Sequence, residues 1–541
     1  MNNFFKKNLF YIFLSLIFFI SFFVSFYQLS LQYDGHHHGL VYSITEDFLN
    51  NKIPYKDFLP NYGFFYILLN SFFIKIFSES ISGIYFLSSI LKGTGILIIG
   101  LLLSNLLNKR IAFVGVFLIF LIHPFVDTPW PDYLFLTLVL ISFYLILVFK
   151  NNYSYFFSGA LYACASLTKD SWLIILLLSL LIFQLFFLYY KFYKKLKIKN
   201  FLNRFWLLGF FLPLITFATY LFLNDIFFDF LNHFNYGKLV IKNFCLSDSN
   251  NFFLRSIDCG LISFFILLKK SMFLIFSEPY WLIFLMIIIF NILFIIKNLF
   301  LIDNNEFNSN FFILICLSLL SLLLFSNNIY HSVLTIQRFY SGTLLGLIPL
   351  FYAIDNIKNP INKFIFLSIL IVFLINGFQF GRTSNNPIFP TYTNKIFNSS
   401  KNLNFLRHKK LNAVEWLQLE ETKEISNFTK KKCPEIKYAT NLTNDVFFRI
   451  ILQENFRILN FVQFGPRNGF IEDAYNMWDK NYLENLKRLI KEQNIFIAVD
   501  NSIEHKFNFL EYNNLYKKKF IKYNNYGTKF INIYLPQKCK F

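Results

Sequence analysis

Charge is scarce in this chain: only 15% of its 541 residues are Asp, Glu, Lys or Arg, where a soluble globular domain carries roughly 25%. That excludes a water-soluble enzyme. Glycine (19) and proline (14) are also few, so collagen-like and low-complexity chains fall away, and six cysteines are too sparse for a disulfide scaffold. There is no P-loop, no dinucleotide-binding glycine fingerprint, no zinc-like cysteine pair and no basic stripe interleaved with aromatics, which removes nucleotide-dependent and nucleic-acid-binding classes. What is abundant is apolar: 55% hydrophobic residues and 78 phenylalanines. The class is a polytopic α-helical membrane protein. The excess of Phe, Ile, Asn, Lys and Tyr is also what an A+T-rich genome encodes, so the net charge of +20 is no argument for nucleic acid.

Apolar runs that can cross roughly 30 Å of hydrocarbon stand at about 8–30, 81–107, 111–126, 132–149, 153–168, 171–190, 205–223, 279–297, 310–326, 339–356 and 362–379. The expectation is therefore about eleven transmembrane helices. Two further runs, 61–77 and 261–276, contain Lys75 and the pair Lys269 and Lys270 and read as interfacial helices. Basic residues near span ends stay cytoplasmic. Lys6 and Lys7 then put the amino terminus inside, and the same parity keeps Lys109, Arg110, Lys150 and the Lys191 to Arg204 cluster inside. The first apolar run is too long for a cleaved signal and reads as an uncleaved anchor. Most acidic residues before 380, including Asp34, Asp57, Asp127, Asp132 and Asp170, fall on the exoplasmic side. Carboxylates gathered at one face of a membrane point to chemistry there.

From about 380 the composition changes. The division expected is a transmembrane domain over 1–379, a linker over 380–400 with two prolines, and an exoplasmic α/β domain over 401–541. The last alternates the helical patterns "LNAVEWLQLEE", "DVFFRIILQ" and "KNYLENLKRLIKEQ" with the strands "IKYAT", "NIFIAVD" and "KFINIYLP". Exoplasmic placement allows two disulfides, Cys245 with Cys259 and Cys433 with Cys539, leaving Cys164 and Cys316 in the membrane.

The first exoplasmic loop, "YDGHHHGLVYSITEDFLNNKIPYKDFLPNYG", carries the densest chemistry. Asp34 closes the first span within a few residues of His36, His37 and His38, and Asp57 follows a short amphipathic helix. A carboxylate at the membrane surface beside imidazoles can take a proton from an acceptor hydroxyl. Asp and His together can instead hold a divalent cation, such as Mg or Mn, that neutralises a phosphate leaving group; Asp34, His36 and His38 would be its ligands. The same residues can simply cap a loop.

"DGHHHGL" followed by "KDFLPNYG" resembles the GT-C superfamily of polyprenyl-phosphate-sugar-dependent glycosyltransferases, most of all its RgtA/B/C/D-like and mannosyltransferase-like bacterial members. In the matching subgroup an Asp-x-His-His precedes a Gly, and an Arg-Asp precedes a Tyr-Gly; here Lys56 replaces the Arg and His38 takes a place often acidic. The resemblance implies functional roles for Asp34, His36, His37, Asp57, Tyr62 and Gly63, with Asp34 the general base and Asp57 and Asp132 further catalytic carboxylates. It continues in "HPFVDTPWPDYLF", where Asp132 fits better than Asp127, and in "LTKDSW" and "IQRFYSG". There Lys169 and Arg338 could hold a lipid phosphate, or act as interfacial anchors.

The function implied is an inverting hexosyl- or pentosyltransferase of a bacterial plasma membrane. It would move a sugar from a polyprenyl-phosphate donor to a lipid-linked glycan, polysaccharide or protein acceptor, with its carboxy-terminal domain periplasmic or extracellular. The competing classes are an oligosaccharide polymerase or ligase and a lipid-linked glycan flippase or transporter. Transporters show internal repeats and mid-bilayer charges; this sequence shows no convincing repeat and gathers its polar groups in loops.

Overall fold

The structure is a computed structural model that describes residues 2–31, 37–122, 129–193, 203–233, 252–274, 280–301, 309–330, 336–385, 413–443, 445–459, 482–500, 504, 515–521 and 530–539. The chain divides into two compact units. The first comprises Met1–Tyr27, Ser88–Leu223 and Val240–Pro390, and the second Gln28–Leu87, Asn224–Leu239 and Thr391–Phe541.

The first unit is a helical bundle. It holds most of α1 (Asn2–Leu31) and α4 (Ser82–Leu106), with α5 (Lys109–Ile122), α6 (Pro131–Val148), α7 (Asn152–Ser166), α8 (Asp170–Leu188), α9 (Arg204–Leu223), α10 (Phe252–Phe273), α11 (Tyr280–Leu301), α12 (Ser309–Tyr330), α13 (Ile336–Asp355) and α14 (Pro360–Asn385). Among the described residues seven helices are long and apolar enough to span a bilayer, and the chain is a multi-pass membrane protein. This number does not confirm the expected count of about eleven. The runs at 111–126, 153–168, 339–356 and 362–379 all fall on helices, α7 having 15 residues and α5 having 14 up to the limit of the described residues. At 1.5 Å per residue α7 reaches about 23 Å, short of the hydrocarbon thickness.

Local sequence sets these helix starts. Pro131 stands at the first turn of α6, where its missing N–H is no loss, and Asp132 places a negative charge at the positive end of the helix. The Asn151 side chain accepts the Ser154 N–H at 2.8 Å and caps α7. In lipid there is little hydrophobic drive between helices, so close backbone approach and buried hydroxyl bonds hold them. α7 and α9 meet at Gly159 and Gly209: a Cβ on either would stand 2.1 Å from the Trp206 carbonyl oxygen or 1.9 Å from that of Phe156. Around this crossing Ser142 bonds Ser158 at 2.8 Å, and the Trp206 indole N–H donates to Ser158 at 3.1 Å.

The second unit joins the first loop to the carboxy-terminal α/β domain. From the loop come α2 (His37–Leu49) and α3 (Phe64–Ile76), and from the domain α15 (Ala413–Lys432), β1 (Tyr438–Leu442), α16 (Val446–Gln453), β2 (Arg457–Ile458), α17 (Tyr482–Lys491), β3 (Ile495–Asp500), β4 (Leu515–Ile521) and β5 (Phe530–Pro536). The sheet order is β2-β1-β3-β5-β4, with β2, β1 and β3 parallel and β5 and β4 antiparallel. The period of two along β3 divides its side chains. Ile495, Ile497 and Val499 pack on Leu486, Leu489 and Ile490 of α17, while Phe496 and Ala498 face Ile425 of α15 and Leu452 of α16. Cys433 and Cys539 form a disulfide across 106 residues. Cys259 is also disulfide-bonded, its expected partner Cys245 lying outside the described residues, while Cys164 and Cys316 are thiols.

Candidate active site

In the second unit the candidate residues hang on α2. Its Gly39, Ser43 and Asp47 are spaced four apart, so they form one stripe along the helix, and that stripe lies on α16. A Cβ at position 39 would come 2.9 Å from Cβ of Val446 and 3.2 Å from the Phe447 nitrogen, so glycine is what permits the approach. Below it, the Arg449 guanidinium donates to the Ser43 hydroxyl through Nη1 and to the Asp47 carboxylate through Nη2, the latter at 2.7 Å. Both charged side chains are buried, and Lys52 adds a second cation 2.7 Å from Asp47. Glu46, beside this pair, has a buried Oε2 with no hydrogen-bond partner among the described residues. Burial, reinforced by the neighbouring Asp47 charge and only partly offset by Arg449, raises its carboxyl pKa from the ordinary range to about 7.

The adjacent stripe of α2 is held from the other side. The His38 Nδ1 stands 3.0 Å from the Tyr85 hydroxyl, and the Tyr42 hydroxyl donates to the Glu79 carbonyl at 2.7 Å. His38 and Tyr42 are buried, and His37, at the start of α2, is half-buried. Asp34 and His36 lie outside the described residues. Asp57 is exposed, and its carboxylate accepts the Ile53 N–H at 2.7 Å, closing the turn that follows α2. Tyr62 is buried edge-on against Tyr66, and Gly63 caps α3. Among the described residues no three His, Cys, Asp or Glu side chains are grouped so as to hold a metal ion. Of the three ligands expected for a cation only His38 is described, and its Nδ1 faces a phenol.

In the first unit, other predicted residues gather at the starts of neighbouring helices. Asp132 is buried in the first turn of α6, and Lys169 stands at the N-cap of α8 with its ammonium 5.2 Å from the Trp172 ring. Trp172 packs on Phe135 of α6 at 4.3 Å, and Tyr133 meets Tyr340 of α13 at 5.7 Å. The first turns of α6, α8 and α13 therefore lie together. Arg338 belongs to that turn of α13, its side chain outside the described residues, and Asp127 also lies outside them.

One residue here escapes the sequence reading. Lys92 is buried ten residues into α4, about 15 Å along it, with its ammonium 4.7 Å from the Tyr133 ring. It lines a small recess with Gly95, Tyr133, Thr137 and Tyr340. A single lysine in an otherwise apolar run leaves the hydropathy of a span intact, but an ionisable group at membrane depth is itself the signal of a functional position.

No protein-family model and no curated protein matches the chain. Solved structures do. The oligosaccharyltransferase of Archaeoglobus fulgidus, in complex with Zn and sulfate, aligns over 91% of this chain and 69% of its own with 12% identity and a TM-score of 0.50. ArnT from Cupriavidus metallidurans bound to undecaprenyl phosphate aligns over 98% of this chain and 99% of its own with 9% identity and a TM-score of 0.42. The chain has a GT-C-like fold, as the first-loop motif implies, with a small carboxy-terminal sheet added.

Proposed function

We propose that this protein is an integral-membrane glycosyltransferase that moves a sugar from a polyprenyl-phosphate donor to a glycan, lipid-linked or protein acceptor at the exoplasmic membrane surface. The observation that carries the reading is a GT-C-like fold whose first loop holds the Asp34-to-His38 motif, the last two histidines of which open a helix fixed on two sides. In this reading residues 1–379 form the membrane domain and 401–541 an exoplasmic domain of a bacterial plasma-membrane enzyme. The acceptor hydroxyl oxygen attacks the anomeric carbon, the bond from that carbon to the phosphate oxygen breaks, and polyprenyl phosphate leaves with its electron pair. The proton passes to Asp34, and the anomeric configuration inverts. His36 and His37 orient Asp34, while Lys169 and Arg338 steady the phosphate. Asp57 and Asp132 are further catalytic carboxylates in this reading, and Tyr62 binds substrate.

The test is transfer by purified protein from a panel of undecaprenyl-phosphate sugars, comparing the wild type with Asp34→Asn. Loss of a general base lowers the rate by roughly 10² to 10⁴-fold. Near-normal transfer by a stably folded Asp34→Asn protein would refute the mechanism, and no transfer by the wild type from any such donor would refute the donor class.

A further inference from the structure

We propose that Arg449 is a positioning residue: from the carboxy-terminal domain it fixes the rotation and axial register of α2, and with them the placing of His37 and His38 at the start of that helix. The inference rests on the reading of the first loop as the place of transfer.

The geometry is that of a fork. Two branches of one planar guanidinium bond two residues a single turn apart on α2, Ser43 and Asp47, which lie 406 and 402 residues away in sequence. A one-residue slip of α2 would rotate both partners about 100° off the fork, so the pair of bonds admits one register. Gly39, a turn earlier, extends the contact onto Val446 and Phe447. The stripe 39, 43, 47 is thus held over about 12 Å of helix. The platform is itself stiff: Asp445 caps α16 by accepting the Phe447 N–H at 3.0 Å, and Asn441 and Thr443 tie that cap to the end of β1. On the neighbouring stripe, Tyr85 and Glu79 meet His38 and Tyr42. A helix gripped along two stripes cannot roll, and its two leading histidines inherit that constraint.

Glue alone would give the same contacts, so the experiment separates the two. Replacing Asp47 by Leu together with Arg449 by Met removes both buried charges at once, a change that generally leaves stability intact. The double variant is expected to keep its melting temperature while its turnover number falls on the order of 10²-fold. The KM for the polyprenyl-phosphate sugar should not change, and hydrogen exchange should accelerate at α2 amides with β1 and β3 still protected. Arg449→Lys with Asp47 intact should recover part of the turnover, because one ammonium cannot bridge Ser43 and Asp47 as the fork does. A folded double variant with wild-type turnover, or Arg449→Lys indistinguishable from wild type, overturns the proposal. Should the wild type itself transfer no sugar, the transferase reading falls, and exchange alone decides the inference: unaltered α2 protection in the double variant overturns it.

Discussion

The imidazole of His38 and the hydroxyl of Tyr85 are 3.0 Å apart, with the two rings edge-on at 5.2 Å. The first residues of α2 are thereby bonded to the start of α4, 47 positions later. Tyr85→Phe removes the hydroxyl and leaves the ring contact. The expected loss is about 1 kcal/mol, read as a lower melting temperature of the purified protein in detergent. His38→Ala combined with Tyr85→Phe should destabilise by less than the sum of the single changes, since the two share one interaction.

Alanine at Gly159 or Gly209 puts a Cβ within 2.1 Å or 1.9 Å of a backbone oxygen on the facing helix, and backbone cannot step aside as a side-chain tip can. Each substitution is expected to destabilise the protein by about 1–3 kcal/mol or more. Gly260→Ala is the control, because a Cβ there meets nothing within 4 Å among the described residues and alanine favours a helix by roughly 0.5–1 kcal/mol. Thermal melts of the three variants, run side by side, should separate the first two from the third.

The apolar spans could be read in the sequence because a bilayer demands a composition, and composition survives without any knowledge of contacts. Most elements of the carboxy-terminal domain were legible for a similar reason: β3 is an unbroken apolar run, as a strand buried on both faces requires, and α17 repeats its apolar residues at helical spacing. β4, "LYKKKFI", was not legible, and its place in the sheet explains this. Among the described residues it is the edge strand beside β5, and its three consecutive lysines erase the apolar signature of a strand. The grip on α2 was hidden for another cause. Gly39, Ser43 and Asp47 look like three ordinary polar or small residues of an amphipathic helix, and their partner Arg449 is some 400 residues away. His38 belonged to a triplet read as chemistry, yet its Nδ1 meets a tyrosine that stands inside what the sequence marks as a membrane span. Asp57, likewise read as chemistry, is seen bonding its own turn.

Glu46 gives a pH dependence with a definite sign. Its carboxyl, at about 7 in the folded protein, has an ordinary value near 4.3 when unfolded. Between these values the folded state holds a proton that the unfolded state has released, so unfolding becomes easier as pH rises through that window. Stability should decline from about pH 4.3 to 7 and then level off. Glu46→Gln, neutral at every pH, should flatten that portion of the curve. Denaturant or thermal midpoints at half-unit pH steps check this, and an unchanged slope in Glu46→Gln would assign the dependence to other groups.

Replacing Cys433 by Ser opens the bond to Cys539. A crosslink over so long a stretch restrains the unfolded chain strongly, and its loss is expected to lower the stability of the domain by about 2–5 kcal/mol. Reductant should lower the melting temperature of the wild type further than that of the Cys433→Ser variant, because both lose the disulfide at Cys259 and only the wild type also loses the bond between Cys433 and Cys539.

The same bond has a topological consequence. Cys433 directly follows α15, and Cys539 sits in the turn after β5, so all five strands with α16 and α17 lie inside one covalent ring. A protease that cuts the chain once between these cysteines does not free a fragment: the two pieces travel as a single band until the sulfurs are reduced, and the sheet keeps both of its halves at high effective concentration. Damage to an exposed connection of this domain is thereby made survivable, because the severed ends have nowhere to go.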